Sequence, residues 1–571
     1  MRSVRDAAFD VLRVHGLTTL FANPGSTEVS LLTDLPDDLD FVLALHEGSV
    51  VGAATGWAIA RKAPALVLLH TTAGLGNAVG ALATARENRA PMVVLVGQQD
   101  RRHLAQEPFL AGRLEGLAGD YPVRVETPPR AQDVPGAIGR AVHAARTGRG
   151  PALVIVPMDD WAEPMEELPL PAPTVLLRAD GTDPRSVAEV AVLLDAAASP
   201  ALVVGAGADD AATWEALTEL AERLGCPVWQ EAFGARAGFP QDHPRFAGHL
   251  PADRTRLRET LAPYDLVLVV GAPALRQYPY AAGPLVHDAT RLVLVTDDPA
   301  EAHHAPVGLA VITPLPAFCV ELAREVRLRS GGAHADSGSG GAQSGCRAAA
   351  VQSDSRVTAA HPDLRPAAVR SASRSTPAAA PMPPREGAPL RAAHVFAALA
   401  ERLSADTVLV EETPSSRPDL HALLPARRPL GFLSAAMGGL GFAMPAAVGL
   451  RMALPGRPVV AVVGDGSALY QIQSLWTAAH YGVGVVFVVL ANGRYAVMDR
   501  LAEHHGGKPP WPDFEEVSVS AMARSLGCSA HHITGHADLL RELDAVLPTL
   551  GDRTRPLLLE VSVEPDPTFA P

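Results

Sequence analysis

The stretch AVVGDGSAL, residues 461–469, runs from apolar residues suited to a buried strand straight into Gly464-Asp465-Gly466-Ser467. A carboxylate set between two glycines at the end of such a strand is costly to bury alone, and no cation stands beside it in sequence. In doubly wound sheets, ligands lie beyond the carboxyl ends of strands, where Gly-rich turns bring phosphates to backbone N–H groups at a helix N-terminus. An acid in that turn repels phosphate unless a divalent cation sits between them. Mg²⁺ takes about six oxygens, few from protein and the rest from water and phosphate. A second protein oxygen is expected at the next strand end. LANGRY (490–495) supplies Asn492, 27 residues after Asp465, and Arg494 just beyond it offers a backbone carbonyl.

The same texture extends along the chain. Short apolar runs alternate with amphipathic helical patterns in three segments, which predicts an α/β protein of three domains with doubly wound parallel sheets. The candidate strands are 18–23, 65–70, 91–97 and 151–157, then 201–206, 265–271 and 291–297, then 407–412, 458–465, 484–491 and 556–562. Their continuous hydrophobicity suits strands covered on both faces. The domains are expected at 1–175, 183–328 and 390–571. Residues 329–389, rich in Gly, Ser, Ala and Pro, read as a disordered linker.

Composition narrows the function classes. A formal charge of −14 without a basic cluster argues against nucleic acid or an anionic membrane as partner. No apolar run is long enough to span a bilayer, and the N-terminal MRSVRDAAFDVLRVHG lacks a signal-peptide core. The four cysteines form no CxxC pair. A cytoplasmic enzyme acting on a small molecule is the expectation.

GDGS with an Asn 27 residues on, between two apolar strands, resembles the diphosphate motif of thiamine diphosphate enzymes. An Asp capping a helix and an Asn in a turn is the bland alternative. Ala491 stands where many members carry a second Asn. Such a cofactor needs a carboxylate at its aminopyrimidine, whose imino tautomer acts as base. LALHEGSVVGAATGWAIA (43–60) offers Glu47 at a helix start, followed by small residues that let a flat ring approach.

The likeness covers nearly the whole chain outside the linker and is to benzoylformate decarboxylase, within the wider group of pyruvate decarboxylase and acetohydroxyacid synthase. The matching stretches are NPGSTE (23–28), LALHEGSVVG (43–52), LLHTTAGLGNAVGAL (68–82), VGQQ (96–99), GAP (271–273), GGLGFAMPAA (438–447) and GDGSALYQIQSLWTAA (464–479). The resemblance implies a pyruvate decarboxylase-like architecture. It implies Ser26 at the substrate carboxylate and His70 in proton transfer. The cofactor would meet Glu47, Ser415, the Gly438 carbonyl, the apolar wedge Leu440, Asp465, Gly466, Ser467, Asn492 and Tyr495, and Mg²⁺ would lie on Asp465, Asn492 and Arg494. Glu47 and Asp465 of one site would come from different subunits, which implies a homodimer or homotetramer.

The departures carry information too. The family's second active-site histidine is matched by Tyr278, a poor base at neutral pH. Two positions that are aromatic in benzoylformate decarboxylase are Ser434 and Leu501. The expected reaction is decarboxylation of a 2-oxo acid to an aldehyde; a carboligase forming a 2-hydroxy ketone and a catalytically silent cofactor-binding protein are the alternatives. GAGADDA (205–211) has Asp210 at the third glycine position of a dinucleotide turn, so no FAD is expected there. The pairs His303-His304, His504-His505 and His531-His532 read as surface histidines.

Overall fold

Each apolar-rich segment folds into its own parallel sheet. The computed structural model describes residues 2–165, 180–328, 381–385 and 387–566, so the linker expected at 329–389 falls almost wholly outside the described residues. The first sheet contains β1 (Thr19–Asn23), β2 (Asp40–Leu43), β3 (Ala65–His70), β4 (Met92–Gln98), β5 (Arg124–Glu126) and β6 (Pro151–Pro157), in the order β2-β1-β3-β4-β6-β5. The central sheet contains β7 (Pro200–Val204), β8 (Val228–Gln230), β9 (Phe246–His249), β10 (Leu266–Val270), β11 (Arg291–Thr296) and β12 (Leu309–Ile312), in the order β12-β11-β10-β7-β8-β9. The third contains β13 (Leu390–Arg391), β14 (Val408–Glu412), β15 (Phe432–Ser434), β16 (Val459–Gly464), β17 (Val486–Ala491), β18 (Ser529–Ile533) and β19 (Leu557–Glu564). Its order is β13-β19-β17-β16-β14-β15, with β18 also on β19.

In each sheet the strand order reverses at an inner position, leaving a crevice at the carboxyl ends of two neighbouring strands; the first sheet also reverses at its β6-β5 edge. The crevice lies between β1 and β3, between β7 and β10, and between β14 and β16. The inner strands are buried along their length, as β4 and β6 show, because helices cover both faces.

The first and third domains meet through two helices, Glu47–Arg61 and Ala443–Ala453. A Cβ on Gly56 would stand 2.0 Å from the Ala446 carbonyl oxygen, and one on Gly449 would stand 1.8 Å from that of Ala53. Only glycine permits so close a crossing. The crossing is buried in a single core that draws Val50, Val51 and Ala54 from one domain and Met444, Ala447 and Val448 from the other. Around it, Ser49 Oγ donates to Gln471 Oε1 at 2.5 Å, and the Tyr481 hydroxyl accepts from Leu43 N–H at 2.8 Å. The helix that opens with Glu47 is thereby fixed against the segment that follows Asp465.

Candidate active site

The first crevice gathers the N-terminal candidates. Asn23 ends β1 and His70 ends β3. Glu47 opens its helix behind His46, whose Nδ1 accepts from Gly48 N–H at 2.9 Å. The Glu47 carboxylate is buried, and each oxygen accepts from one amide: Asn23 Nδ2 at 3.0 Å and Asn77 Nδ2 at 3.1 Å. These two bonds fix its orientation without neutralising its charge.

His70 is held equally firmly. Its Nδ1 lies 2.9 Å from Thr27 Oγ1 and 3.0 Å from Glu28 Oε2. Glu28 is itself buried and accepts from Gly25 N–H at 2.7 Å. A Cβ on Gly25 would stand 2.4 Å from the His70 ring, so the glycine makes room for the imidazole. The next residue, Thr71, carries φ +31°, an unusual backbone for a β-branched side chain. Ser26 lies exposed on the Pro-Gly loop beside this group.

The third crevice holds the C-terminal candidates. Asp465 follows β16, and its carboxylate accepts three backbone N–H bonds: Gly466 at 2.8 Å on Oδ1, and Asn492 at 2.8 Å and Gly493 at 2.7 Å on Oδ2. Burial raises its pKa above the usual carboxylate value, and the three N–H bonds oppose that shift. Asn492 Oδ1 accepts from Arg494 N–H at 3.0 Å, which closes the turn after β17, and the Asn492 and Gly493 bonds to Asp465 tie that turn to the one after β16. The Arg494 guanidinium pairs with Asp513. Gly466 and Ser467 are buried, Ser415 is half-buried, and Gly438, Leu440 and Tyr495 are exposed.

Sequence reasoning missed five polar residues that hold these groups: Asn23, Asn77, Glu28, Glu412 and Asn88. Glu28 and Asn23 lie inside the quoted NPGSTE, and Asn77 inside TTAGLGNAVG, so their neighbourhood was visible although their partners were not. Glu412 ends β14 beside Asp465's strand. Asn88 caps the helix Thr71–Glu87 and reaches the third domain, donating to the Ser434 carbonyl at 3.0 Å and accepting from Ala436 N–H at 2.7 Å.

The other candidates stand apart. Tyr278 is 70 % exposed on the central domain, and among the described residues no hydrogen bond joins its side chain to Ser26, Glu47, His70 or Asp465. It borders a cavity of about 1290 Å³ at the β7–β10 crevice. Several arginines line that cavity, but Arg149 pairs with Asp297 at 2.6 Å and Arg276 with Glu231 at 3.2 Å. In the GAGADDA turn, Asp209 accepts from Leu430 N–H of the third domain at 2.7 Å, and Asp210 caps the helix Ala211–Leu224. Its acids therefore serve contacts within the chain. All six residues of the three histidine pairs are exposed. Among the described residues no cluster of three or more His, Cys, Asp or Glu is present, and no helix is long and apolar enough to cross a membrane.

Comparison with known families places the chain. The model described as thiamine pyrophosphate enzyme, N-terminal TPP binding domain, matches residues 2–113; the central-domain model matches 187–322, and the C-terminal TPP binding domain model matches 415–561. The chain belongs to the thiamine diphosphate enzymes. It is 35 % identical to a benzoylformate decarboxylase of Pseudomonas aeruginosa, with 99 % of each chain covered. Among solved structures, a thiamine diphosphate-dependent 4-hydroxybenzoylformate decarboxylase of Rhodococcus jostii is 32 % identical with a TM-score of 0.85, covering 99 % of this chain and 100 % of that one. The benzoylformate decarboxylase of Polynucleobacter necessarius is 31 % identical with a TM-score of 0.86, both chains covered in full. The three-sheet α/β fold is thus that of thiamine diphosphate enzymes with pyruvate decarboxylase-like architecture.

Proposed function

We propose that the protein is a Mg²⁺- and thiamine diphosphate-dependent decarboxylase that converts a 2-oxo acid into carbon dioxide and an aldehyde. The observation that carries this reading is the pairing, in one chain, of a Glu47 crevice with an Asp465–Asn492 crevice, each at a strand-order reversal. The donor set fits the group. A buried carboxylate, an amide oxygen and a backbone carbonyl suit a hard cation. When bound, the cofactor supplies an electron sink for the bond that loses carbon dioxide.

The chain's own residues provide the rest. Glu47, steadied by Asn23 and Asn77, presents a carboxylate to the aminopyrimidine. Ser26 offers an exposed hydroxyl to the substrate carboxylate. With Nδ1 engaged by Thr27 and Glu28, His70 keeps Nε2 to take up or deliver a proton. Leu440 stands exposed to support the cofactor as a wedge. Ser415, Gly438, Gly466, Ser467 and Tyr495 complete the cofactor's surroundings, and Arg494 adds its carbonyl to the metal.

The active form is a homodimer or homotetramer in which Glu47 and Asp465 of one site come from two copies. The exposed apolar side chains Phe109, Leu110, Met437, Leu440, Tyr470 and Met498 support this, since a second copy would cover them. The test is a calorimetric titration with thiamine diphosphate, with and without Mg²⁺, followed by carbon dioxide release from a panel of aromatic and aliphatic 2-oxo acids. Binding that needs the metal, together with turnover of a panel member, is expected. Absence of binding would remove the proposal.

A further inference from the structure

Two adjacent acids end β14, and both are buried: Glu411 is 0 % exposed and Glu412 is 3 % exposed. Their side chains meet different surroundings. Glu411 faces Arg417, whose Nη2 lies 2.9 Å from Oε2, and accepts from Thr413 N–H at 2.5 Å and Thr413 Oγ1 at 2.8 Å. Glu412 pairs with no cation among the described residues. All three of its bonds come from consecutive backbone N–H groups: Gly441 at 2.6 Å on Oε1, Phe442 at 2.8 Å and Ala443 at 2.7 Å on Oε2. These donors open the helix Ala443–Ala453 and close the GGLGF loop that carries Leu440.

That loop has little to hold it otherwise. Gly438 (φ +70°) and Gly441 (φ +88°) both sit in the left-handed region, and residues 437–440 belong to no helix or strand. Its entry is tied by Asn88 through Ser434 and Ala436, and its exit by Glu412. The entry ties do not titrate near neutrality: they are the Asn88 amide and the Arg276 guanidinium, which donates to the Ala436 carbonyl at 3.4 Å. The exit tie is ionisable, and its geometry suits only the carboxylate: a proton on either oxygen would face an N–H already pointing there.

We propose that Glu412 is a positioning residue, an ionisable clamp whose carboxylate sets the Leu440 loop, so that cofactor affinity follows its charge. This rests on the thiamine diphosphate reading for the ligand and on the three N–H bonds for the clamp. Burial pushes the carboxyl up to about 7, against the pull of the three N–H bonds, and the neighbouring Glu411 charge pushes the same way. Among the described residues, β15 and β16, which flank β14, carry no ionisable side chain, and Arg451 of the helix Ala443–Ala453 donates instead to the Arg457, Gly551 and Arg553 carbonyls. The three N–H bonds favour the charged form, so a loop that withdraws them from the still-buried carboxyl lets it hold its proton more tightly, and the clamp loosens as pH falls through about 7.

The test compares the wild type with Glu412→Gln in thiamine diphosphate titrations at saturating Mg²⁺ between about pH 6 and about pH 8. Protonation of the cofactor's own phosphate affects both proteins alike, so the difference between the two profiles is the readout. Wild-type affinity should fall by about tenfold per pH unit below the midpoint relative to the variant, whose affinity is lower at pH 8 and lacks that component. Hydrogen exchange in the cofactor-free wild type reads the clamp without any variant. Protection factors of the Gly441, Phe442 and Ala443 amides should drop as pH falls through about 7. Equal affinities and parallel profiles, or protection factors that do not change with pH, would overturn the clamp. If neither protein binds thiamine diphosphate, the proposed function fails, and the exchange profile still decides the clamp.

Discussion

Replacing Asp465 with Asn changes charge without changing shape, and the structure separates its two consequences. The carboxylate accepts one N–H on Oδ1 and two on Oδ2. An amide has one accepting atom, so whichever way it turns, its NH₂ faces at least one backbone donor. A buried donor left unpaired costs about 1–3 kcal/mol, which is the loss expected without ligand. The neutral amide also binds Mg²⁺ poorly, and with it the diphosphate. A ligand present at a hundred times its Kd stabilises the native state by about 2.7 kcal/mol, and the variant forfeits this. The gap to wild type should thus widen from about 1–3 kcal/mol without ligand to about 4–6 kcal/mol with it. Urea unfolding with and without Mg²⁺ and thiamine diphosphate measures both. A variant whose midpoint rises on adding ligand as far as the wild type's would refute the metal site. Asp465→Ala is less clean, because it removes all three bonds of the turn.

Four further outcomes are expected. Asn88→Ala strips partners from the Ser434 carbonyl and the Ala436 N–H, and should cost about 1–3 kcal/mol for each group left unpaired, read by urea unfolding, with weaker cofactor binding. Gly25→Ala places a methyl on the His70 ring and should lower kcat on the best 2-oxo acid by about tenfold or more while cofactor affinity stays near wild type, as steady-state kinetics would show. His421 stacks on His249 at 3.7 Å with its Nε2 buried and unpartnered among the described residues, and burial pushes it down to about 3. Its folded-state pKa lies below the unfolded value, so the unfolded chain binds the proton first, and stability is lost as pH falls below about 6.5. His421→Phe should regain about 2 kcal/mol relative to wild type near pH 5, measured against the same pair at neutral pH. Tyr278→His introduces a group that titrates near neutrality, and should raise the ratio of aldehyde to hydroxyketone product when an acceptor aldehyde is supplied.

The inner strands were legible because their Val/Leu runs have no other use: β3, β4, β6, β10, β16 and β17 stand where the apolar stretches lie. The short strands β2, β5, β8, β9, β12, β13, β15 and β18 were not. β5 is partly or fully exposed throughout, and β18 alternates irregularly, so pairing with an inner neighbour makes them strands rather than their own pattern. The same contrast runs through the site. Asp465, Asn492 and Glu47 were visible because a Gly-rich turn or a strand end frames each. Glu28 and Glu412 were not, since their partners are a histidine 42 residues away and backbone N–H groups 29 to 31 residues away. Glu411 and Glu412 are identical letters in sequence; only the fold sends one to an arginine and the other to a helix N-terminus.

The most direct measurement of the proposed activity is the joint yield of carbon dioxide and aldehyde from 2-oxo acids, using protein loaded with Mg²⁺ and thiamine diphosphate, beside Glu47→Gln loaded in the same way. The account predicts one aldehyde for each carbon dioxide from at least one acid, and a fall of about a hundredfold or more in both products for the variant. A wild-type protein that binds the cofactor yet releases neither product from any acid, or a Glu47→Gln variant as active as wild type, would contradict it.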